Sequence, residues 1–332
     1  MRLLVLGGTV FLGRAVARHA VAAGHDVTCA ARGLGGAVAE GARFVRVDRD
    51  RPDGLSALAG ERFDAVVDVA RRPSHVRVAL AALADRVGHW TFVSTCSVYA
   101  DDATPGQRAT TAPVLEPAPE GTDLDDTTPA GYGRNKVACE RAVAGAVGED
   151  RAFLCRAGLI VGPEDPSGRF EYWVRRVHRG GEVLAPGEPD EVVQFVDVRD
   201  LAAWLVDAAG SGLAGTYDGM GAPMPRGEFL AGVAEGVGAR PTLTWVDQDF
   251  LVARGVEPWM GPRSLPLWLP LPEHAGFLSR DVGASLAAGL RTRPVAETVR
   301  DTLGWLAGQP DAVGRCGLTA DDEAALLREW RG

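Results

Sequence analysis

Arg2-Leu3-Leu4-Val5-Leu6-Gly7-Gly8-Thr9-Val10-Phe11-Leu12-Gly13 opens the chain, and its reading decides the fold. Arg2 to Leu6 is an apolar run cut off by two glycines, the pattern of a strand buried on both faces of a parallel sheet. Leu12 to Ala23 then carries helical spacing and is closed by Gly24, and Asp26 to Ala30 reads as a second strand. Strand, glycine-rich turn and helix in this order begin a βαβ unit. In such a turn Gly7 permits a tight bend and Gly13 lets the helix pack close to the strand. The backbone of Thr9, Val10, Phe11 and Leu12 is then placed to hold a dinucleotide pyrophosphate.

Downstream, Arg43 to Val47, Phe63 to Val69, Trp90 to Ser94 and Ala152 to Val161 read as further strands. Helical stretches separate them at Gly54 to Leu58, at Pro73 to Arg86, and from Tyr132 to about Val147. Alternating strands and helices predict an α/β fold, a Rossmann-type doubly wound parallel sheet, with a smaller C-terminal α/β substrate lobe. The expected division is 1–162 for the dinucleotide-binding domain and 163–332 for the substrate lobe, interleaved near 192–210. Residues 101–130 are acidic, rich in Pro and Thr, and long for a connection, which predicts a lid or mobile insertion. Beyond Gly162 tryptophan and proline become frequent. Helices are expected near 168–180, 200–209, 226–237 and 294–307, and Thr319 caps a last one.

Bulk composition narrows the partners. A net charge of −9 with no basic stretch argues against nucleic acid and anionic membranes. Cys29, Cys96, Cys139, Cys155 and Cys316 form no CxxC pair and cannot all pair with one another, which fits a reducing cytoplasm and no metal site. The apolar N-terminus is too short for a signal segment, and nothing approaches a membrane span. The expected partner is a small molecule.

Lys136 is the single lysine among 35 basic residues, and it lies four positions after Tyr132. That spacing sets a phenol and an ammonium on one helical face, one turn apart. An ammonium there favours the phenolate over a phenol whose ordinary pKa is about 10. Tyr132 can then exchange a proton with an alcohol or ketone while hydride moves to or from a nicotinamide. Lys136 has a second use, in bonding the nicotinamide ribose. Thr95 ends the strand before the lid, at the edge where ligands collect in such sheets, and its hydroxyl can hold the reacting oxygen.

The end of the second strand, Cys29-Ala30-Ala31-Arg32-Gly33, lacks the acid that usually meets the ribose of NAD and carries Arg32 beside the vacancy. A guanidinium pairs well with phosphate, so NADP(H) is expected over NAD(H). Asp48, with Arg49, follows the third strand and is placed for the adenine or for a cap. Val69 and Ala70 end the fourth strand on the same rim. Arg71, Arg72 and His75, on the cofactor rim, read first as a solvated loop and a helix cap and otherwise as a site for phosphate or a substrate carboxylate; Trp259 and Trp268 read as core before pocket wall, and Cys96 as a pocket wall.

Gly7 to Gly13, Ser94-Thr95-Cys96-Ser97-Val98-Tyr99, Tyr132-x-x-x-Lys136 and Phe195-Val196-Asp197-Val198-Arg199-Asp200 stand in an order that resembles the extended short-chain dehydrogenase/reductase superfamily, in its NAD-dependent epimerase/dehydratase group. The resemblance runs from residue 1 to about 210. It implies Thr95, Tyr132 and Lys136 as the catalytic set, Arg156 to Leu159 (with Gly158 and Leu159) against the nicotinamide, and a homodimer. Three departures stand out. Val10 replaces a middle glycine. Cys96-Ser97 replaces the Asp-Glu pair of sugar dehydratases. Glu191-Val192-Val193-Gln194 lacks the arginine that grips a nucleotide diphosphate and would repel one. The leading expectation is therefore an NADP(H)-dependent oxidoreductase acting on the carbonyl or alcohol of a small non-nucleotide metabolite. A sugar or nucleotide-sugar epimerase with tightly held NAD is the alternative, and a non-catalytic cofactor-binding regulator the third.

Overall fold

The computed structural model describes residues 1–309 and 316–332. The chain first lays down β1 (Arg2–Leu6), α1 (Phe11–Ala22), β2 (Asp26–Ala31), β3 (Arg43–Arg46), β4 (Phe63–Asp68), α2 (Pro73–Leu83), β5 (Val87–Thr95), α3 (Pro129–Val147) and β6 (Ala152–Ala157). It then leaves the sheet through β7 (Ile160–Val161), α4 (Arg169–His178), β8 (Glu182–Pro186), β9 (Val192–Val193) and β10 (Val196–Asp197), and returns with α5 (Val198–Ser211) and β11 (Gly215–Gly219). Seven strands make one parallel sheet in the order β11-β6-β5-β4-β1-β2-β3. The order reverses between β1 and β4. A crevice therefore opens at their carboxyl ends, where Gly7 and Val69 lie.

Strand period explains how β1 serves two layers. Leu3 and Val5 face the core shared with α1 and α5, built from Leu12, Val16, Ala20, Trp204 and Leu205. Leu4 and Leu6 face the core shared with α2 and α3, among Val76, Leu80, Leu83, Cys139 and Val143. All four are fully buried, which is why the strand reads as a continuous apolar run rather than an alternation.

The expected strand Ala152 to Val161 is two strands. β6 stays in the large sheet, whereas β7 pairs with β10. The break falls at Gly158, where Met220 packs so closely that a Cβ would lie 2.9 Å from its Cε. Apolar residues continue on both sides of the break, so periodicity could not show it. The C-terminal region has its own core, where Phe170, Phe195 and Phe229 pack with ring centroids 5.6–6.0 Å apart. Trp268 is fully buried in it, and Trp259 packs against its edge.

Residues 101–128 are tethered along their length. Asn135 on α3 exchanges hydrogen bonds with the backbone of Leu124, and Arg134 donates to the carbonyls of Glu116 and Pro117. Arg108 pairs with Asp281 at 2.6 Å, and Gly106 N–H donates to Ser279 O. These are polar ties between distant segments, invisible to a composition that suggests mobility. Among the described residues, no helix is long and apolar enough to cross a membrane.

Candidate active site

The turn after β1 is built for an anion. Gly7 has φ +103°, and a Cβ there would lie 2.6 Å from Val69 Cγ2. A Cβ on Gly13 would lie 2.2 Å from Gly7 O, so α1 rests directly on the turn. Phe11 opens the helix at φ 33°, a conformation costing a side chain on the order of 1–3 kcal/mol. Val10 supplies no side-chain cap, and the first turn holds no acid. The leading amides of α1 thus lack a side-chain acceptor, and the helix dipole reinforces their positive end. A pyrophosphate fits this cradle, with Thr9 to Leu12 as its backbone.

Beside the turn, the rim of β4 supplies a residue that sequence reasoning missed. Asp68 ends β4 fully buried. Its Oδ1 accepts from Arg49 Nη1 at 2.8 Å and from Ala70 N–H at 3.0 Å, while Oδ2 has no protein partner. Arg49 is therefore anchored inward. Asp48 Oδ1 accepts from Asp50 N–H within the turn after β3; it caps no helix. The only sequence signal for Asp68 is an acid closing an otherwise apolar strand.

Lys136 projects from α3 into the sheet edge and is 2% exposed. Its Nζ donates to Ala70 O at 2.7 Å and to Val93 O at 2.6 Å, and lies 4.8 Å above the Phe92 ring. An ammonium has three protons. Two are held by carbonyls at the ends of β4 and β5, which aims the third. The same Nζ is 5.8 Å from the Tyr132 ring centroid, so the one-turn spacing does bring phenol and ammonium together. Thr128 makes this possible from the start of the helix. It accepts from Gly131 N–H as N-cap, with Pro129 at the first helical position.

Tyr132 has a further cationic neighbour. The Arg71 guanidinium stacks on its ring at 5.1 Å and pairs with Asp126 at 3.2 Å, joining the β4 rim, the phenol and the 101–128 segment. A solvated loop residue is the first sequence reading of Arg71; its position beside the phenol depends on contacts that sequence does not show. Thr95 closes β5, where its Oγ1 accepts from Ser97 N–H at 3.2 Å and lies 3.3 Å from Ser97 Oγ. α3 comes up against this turn at Gly133, where a Cβ would lie 2.1 Å from Ser97 O. Tyr132, one residue earlier, is thereby carried to the Thr95 turn.

A buried charge network walls the cleft behind Thr95. Tyr99 Oη donates to Asp218 Oδ1 at 2.6 Å, and Arg280 Nε donates to Asp218 Oδ2 at 3.1 Å while its guanidinium stacks on Tyr99 at 3.3 Å. Burial raises the Asp218 carboxyl against the pull of Arg280. Arg156 forms a two-armed pair with Glu140 at 3.0 and 2.8 Å and reaches the 101–128 segment at Ala109 O. Burial pushes the Cys96 thiol up to about 12, which leaves it a wall and not a nucleophile. Gly158 N–H donates to Gly219 O, and the Leu159 side chain packs into the C-terminal core. Glu191 is held by the buried Arg226 at 2.5 Å, so its charge is matched internally and does not simply repel an anion. Arg169 stacks on Trp259 at 4.7 Å, and Trp259 meets Phe277 edge-on at 5.4 Å.

The family model described as NAD dependent epimerase/dehydratase family matches residues 3–216, from β1 to the start of β11. The chain belongs to this family. A dehydratase/epimerase fold of this kind is an enzyme scaffold, and the matched span contains the glycine turn, Thr95, Tyr132 and Lys136. The chain is similar to a 2'-dehydrokanamycin reductase of Streptomyces kanamyceticus, with 36% identity over 167 residues, 48% of this chain and 43% of that protein. The chain thus spans less than half the length of that curated relative. Its fold is shared with the Bordetella bronchiseptica enzyme WbmH in complex with NAD+, at TM-score 0.63 and 18% identity over 92% of this chain and 98% of that one. It is shared too with the UDP-glucose 4-epimerase of Thermus thermophilus in complex with NAD, at TM-score 0.58 and 22% identity over 93% and 99%.

These structures correct the expectation of NADP(H). The dinucleotide those two structures hold is NAD, not NADP(H), which runs against that expectation. The physical reason lies at Arg32, read from sequence as a free phosphate receptor. Its Nη1 is 3.2 Å from the Asp50 carboxylate, so the guanidinium is already engaged by an acid. Sequence position shows Arg32 at the end of β2 but not the carboxylate that folds against it.

Proposed function

We propose that this family member is an NAD-dependent enzyme that oxidises and re-reduces a sugar hydroxyl, an epimerase that keeps its cofactor between half-reactions. The observation that carries the reading is the Tyr132–Lys136 pair, with the phenol flanked by Arg71 and the ammonium held at the carboxyl ends of β4 and β5. What NAD supplies when bound is a reversible hydride acceptor. Thr95 Oγ1 holds the reacting oxygen, and Tyr132 Oη takes the hydroxyl proton and gives it back. Lys136 steadies the negative charge on the phenol oxygen and offers its remaining proton to a ribose hydroxyl. The walls formed by Arg156–Glu140 and Arg280–Asp218 keep the cleft polar yet internally neutral.

A nucleotide-free sugar is the better substrate class, because Glu191 and Arg226 satisfy each other where a diphosphate clamp would need a free cation. The similarity to a 2'-dehydrokanamycin reductase supports a second reading, net reduction of a carbonyl with cofactor released each turnover. One experiment separates them. The purified chain is dialysed, its bound dinucleotide is assayed, and a panel of free and nucleotide-linked sugars is followed by NMR and absorbance at the reduced-nicotinamide band. Product without net change in reduced cofactor supports the epimerase, whereas stoichiometric consumption supports the reductase. Tyr132→Phe should lower turnover roughly 10²- to 10⁴-fold, the range of a positioned general acid–base. Full activity in that variant would refute both.

A further inference from the structure

Two guanidinium groups and an imidazole converge on one carboxylate at the rim of the cofactor crevice. Asp50, in the connection after β3, receives Arg32 Nη1 on Oδ2 at 3.2 Å and His75 Nε2 on Oδ1 at 2.7 Å, and Arg72 Nη1 lies 3.6 Å from Oδ1. The donors come from different places. Arg32 follows β2, while Arg72 and His75 open α2 after β4. The sheet order β4-β1-β2-β3 brings those carboxyl ends together around the Gly7 turn. Stability does not explain the convergence. Arg32, Arg72 and Asp50 are each about half exposed, and exposed ion pairs contribute little. The hydrogen bond from His75, with the charges of Arg32 and Arg72 behind it, holds the Asp50 carboxyl below the usual range, so it is ionised at neutral pH.

Two guanidinium groups and an imidazole around a single anion are also what a phosphate monoester would require. We propose that Asp50 is the built-in occupant of a phosphate-shaped cradle and sets the preference for NAD by denying Arg32, Arg72 and His75 to the 2′-phosphate of NADP. A 2′-phosphate carries close to two negative charges at neutral pH. It must displace a carboxylate already held by three donors or sit against it. A 2′-hydroxyl meets no such conflict and can donate to the carboxylate, as the acid missing from the end of β2 would have received it. Asp50 thus does from the β3 connection what Cys29-Ala30-Ala31-Arg32 cannot. The proposal rests on NAD as the working cofactor and on no particular sugar.

The test is a binding measurement on the full chain. NADH and NADPH are titrated by fluorescence, and adenosine 2′-phosphate by calorimetry, against wild type, Asp50→Ser, Asp50→Asn and the double variant Asp50→Ser with Arg32→Ser. Wild type is expected to prefer NADH. Asp50→Ser should move the NADPH/NADH affinity ratio toward NADPH by about 10- to 100-fold, the span of one charge-assisted hydrogen bond. It should also create measurable binding of adenosine 2′-phosphate, and the double variant should lose most of both gains. Asp50→Asn keeps the shape without the charge, and it carries the same readout if the serine variant fails to fold. A ratio that moves less than about twofold in the variants, or a wild type that already prefers NADPH, overturns the proposal. Absence of sugar turnover would leave it standing, because the readout is affinity. A wild type binding neither dinucleotide would overturn the function and this proposal together.

Discussion

Two glycines on α3 should respond to the same substitution with opposite signs. Gly133 lies in the helix interior and Gly145 in its last turn, and alanine is favoured over glycine in a helix by up to about 1 kcal/mol. At Gly145 a Cβ meets nothing within 4 Å, so Gly145→Ala should gain most of that amount. At Gly133 the new Cβ would lie 2.1 Å from Ser97 O and 2.8 Å from Leu115 Cδ1. Relieving the contact requires α3 to recede from the Thr95 turn by about 1 Å, and overpacking of this kind costs on the order of 1–3 kcal/mol. With a backbone oxygen as the obstacle the upper part of that range applies, leaving a net loss of about 1–2 kcal/mol after the propensity gain. The two variants should therefore differ by about 2–3 kcal/mol, or roughly 3–4 °C in melting temperature for a chain of 332 residues. The displacement also moves Tyr132, and a 1 Å misplacement at a reacting centre can cost on the order of 10²-fold in rate. Thermal melts followed by circular dichroism, with turnover on the best sugar of the panel, measure both effects. Gly133→Ala as stable and as active as Gly145→Ala would refute the close approach that places the phenol.

Other consequences concern charge. His89 is buried in β5 with Nε2 donating to Leu213 O, and burial lowers its pKa despite that bond. Its folded value lies below the ordinary 6.5, so the unfolded chain binds the proton first as pH falls. Stability from this group is present above about pH 6.5 and is lost as pH drops toward the folded value. His89→Gln, which can keep a donor to Leu213, should flatten the fall in melting temperature between pH 7 and 5; parallel curves for the two proteins would contradict this. Asp218→Asn strands Arg280 in the core and should cost about 3–5 kcal/mol, whereas adding Arg280→Met should recover part of that loss. Chemical denaturation of the four proteins in the cycle decides it, and strictly additive losses would rule out the coupling.

Much of the frame was legible because its signals are local. The apolar run of β1 and the helical spacing of α1 follow from backbone geometry within a few residues, whereas the helix read from Tyr132 begins three residues earlier, at Pro129 behind the Thr128 cap. The face shared by Tyr132 and Lys136 follows from the same local geometry. Thr319 caps the last helix as its sequence position predicts, accepting from Asp322 N–H. The strand ending in Thr95 runs longer than its apolar stretch suggests, because Val87 to His89 pair with β4. The apolar composition of 152–161 conceals a change of sheet at Gly158.

The sequence by itself determined a dinucleotide fold and a Tyr–Lys pair, since a period of two, a period of 3.6 and an i,i+4 spacing are properties of neighbouring residues. Tertiary structure alone decided who stands beside them. Arg71 reaches the phenol from β4, and Asp68 lies buried beneath the turn. Arg280 crosses from the C-terminal region to Asp218 and Tyr99. Arg32 finds Asp50 from another strand and changes meaning, from a free cation awaiting a phosphate to one already matched. Such partners are separated by 18 residues or more, and only the packing of the sheet brings them together.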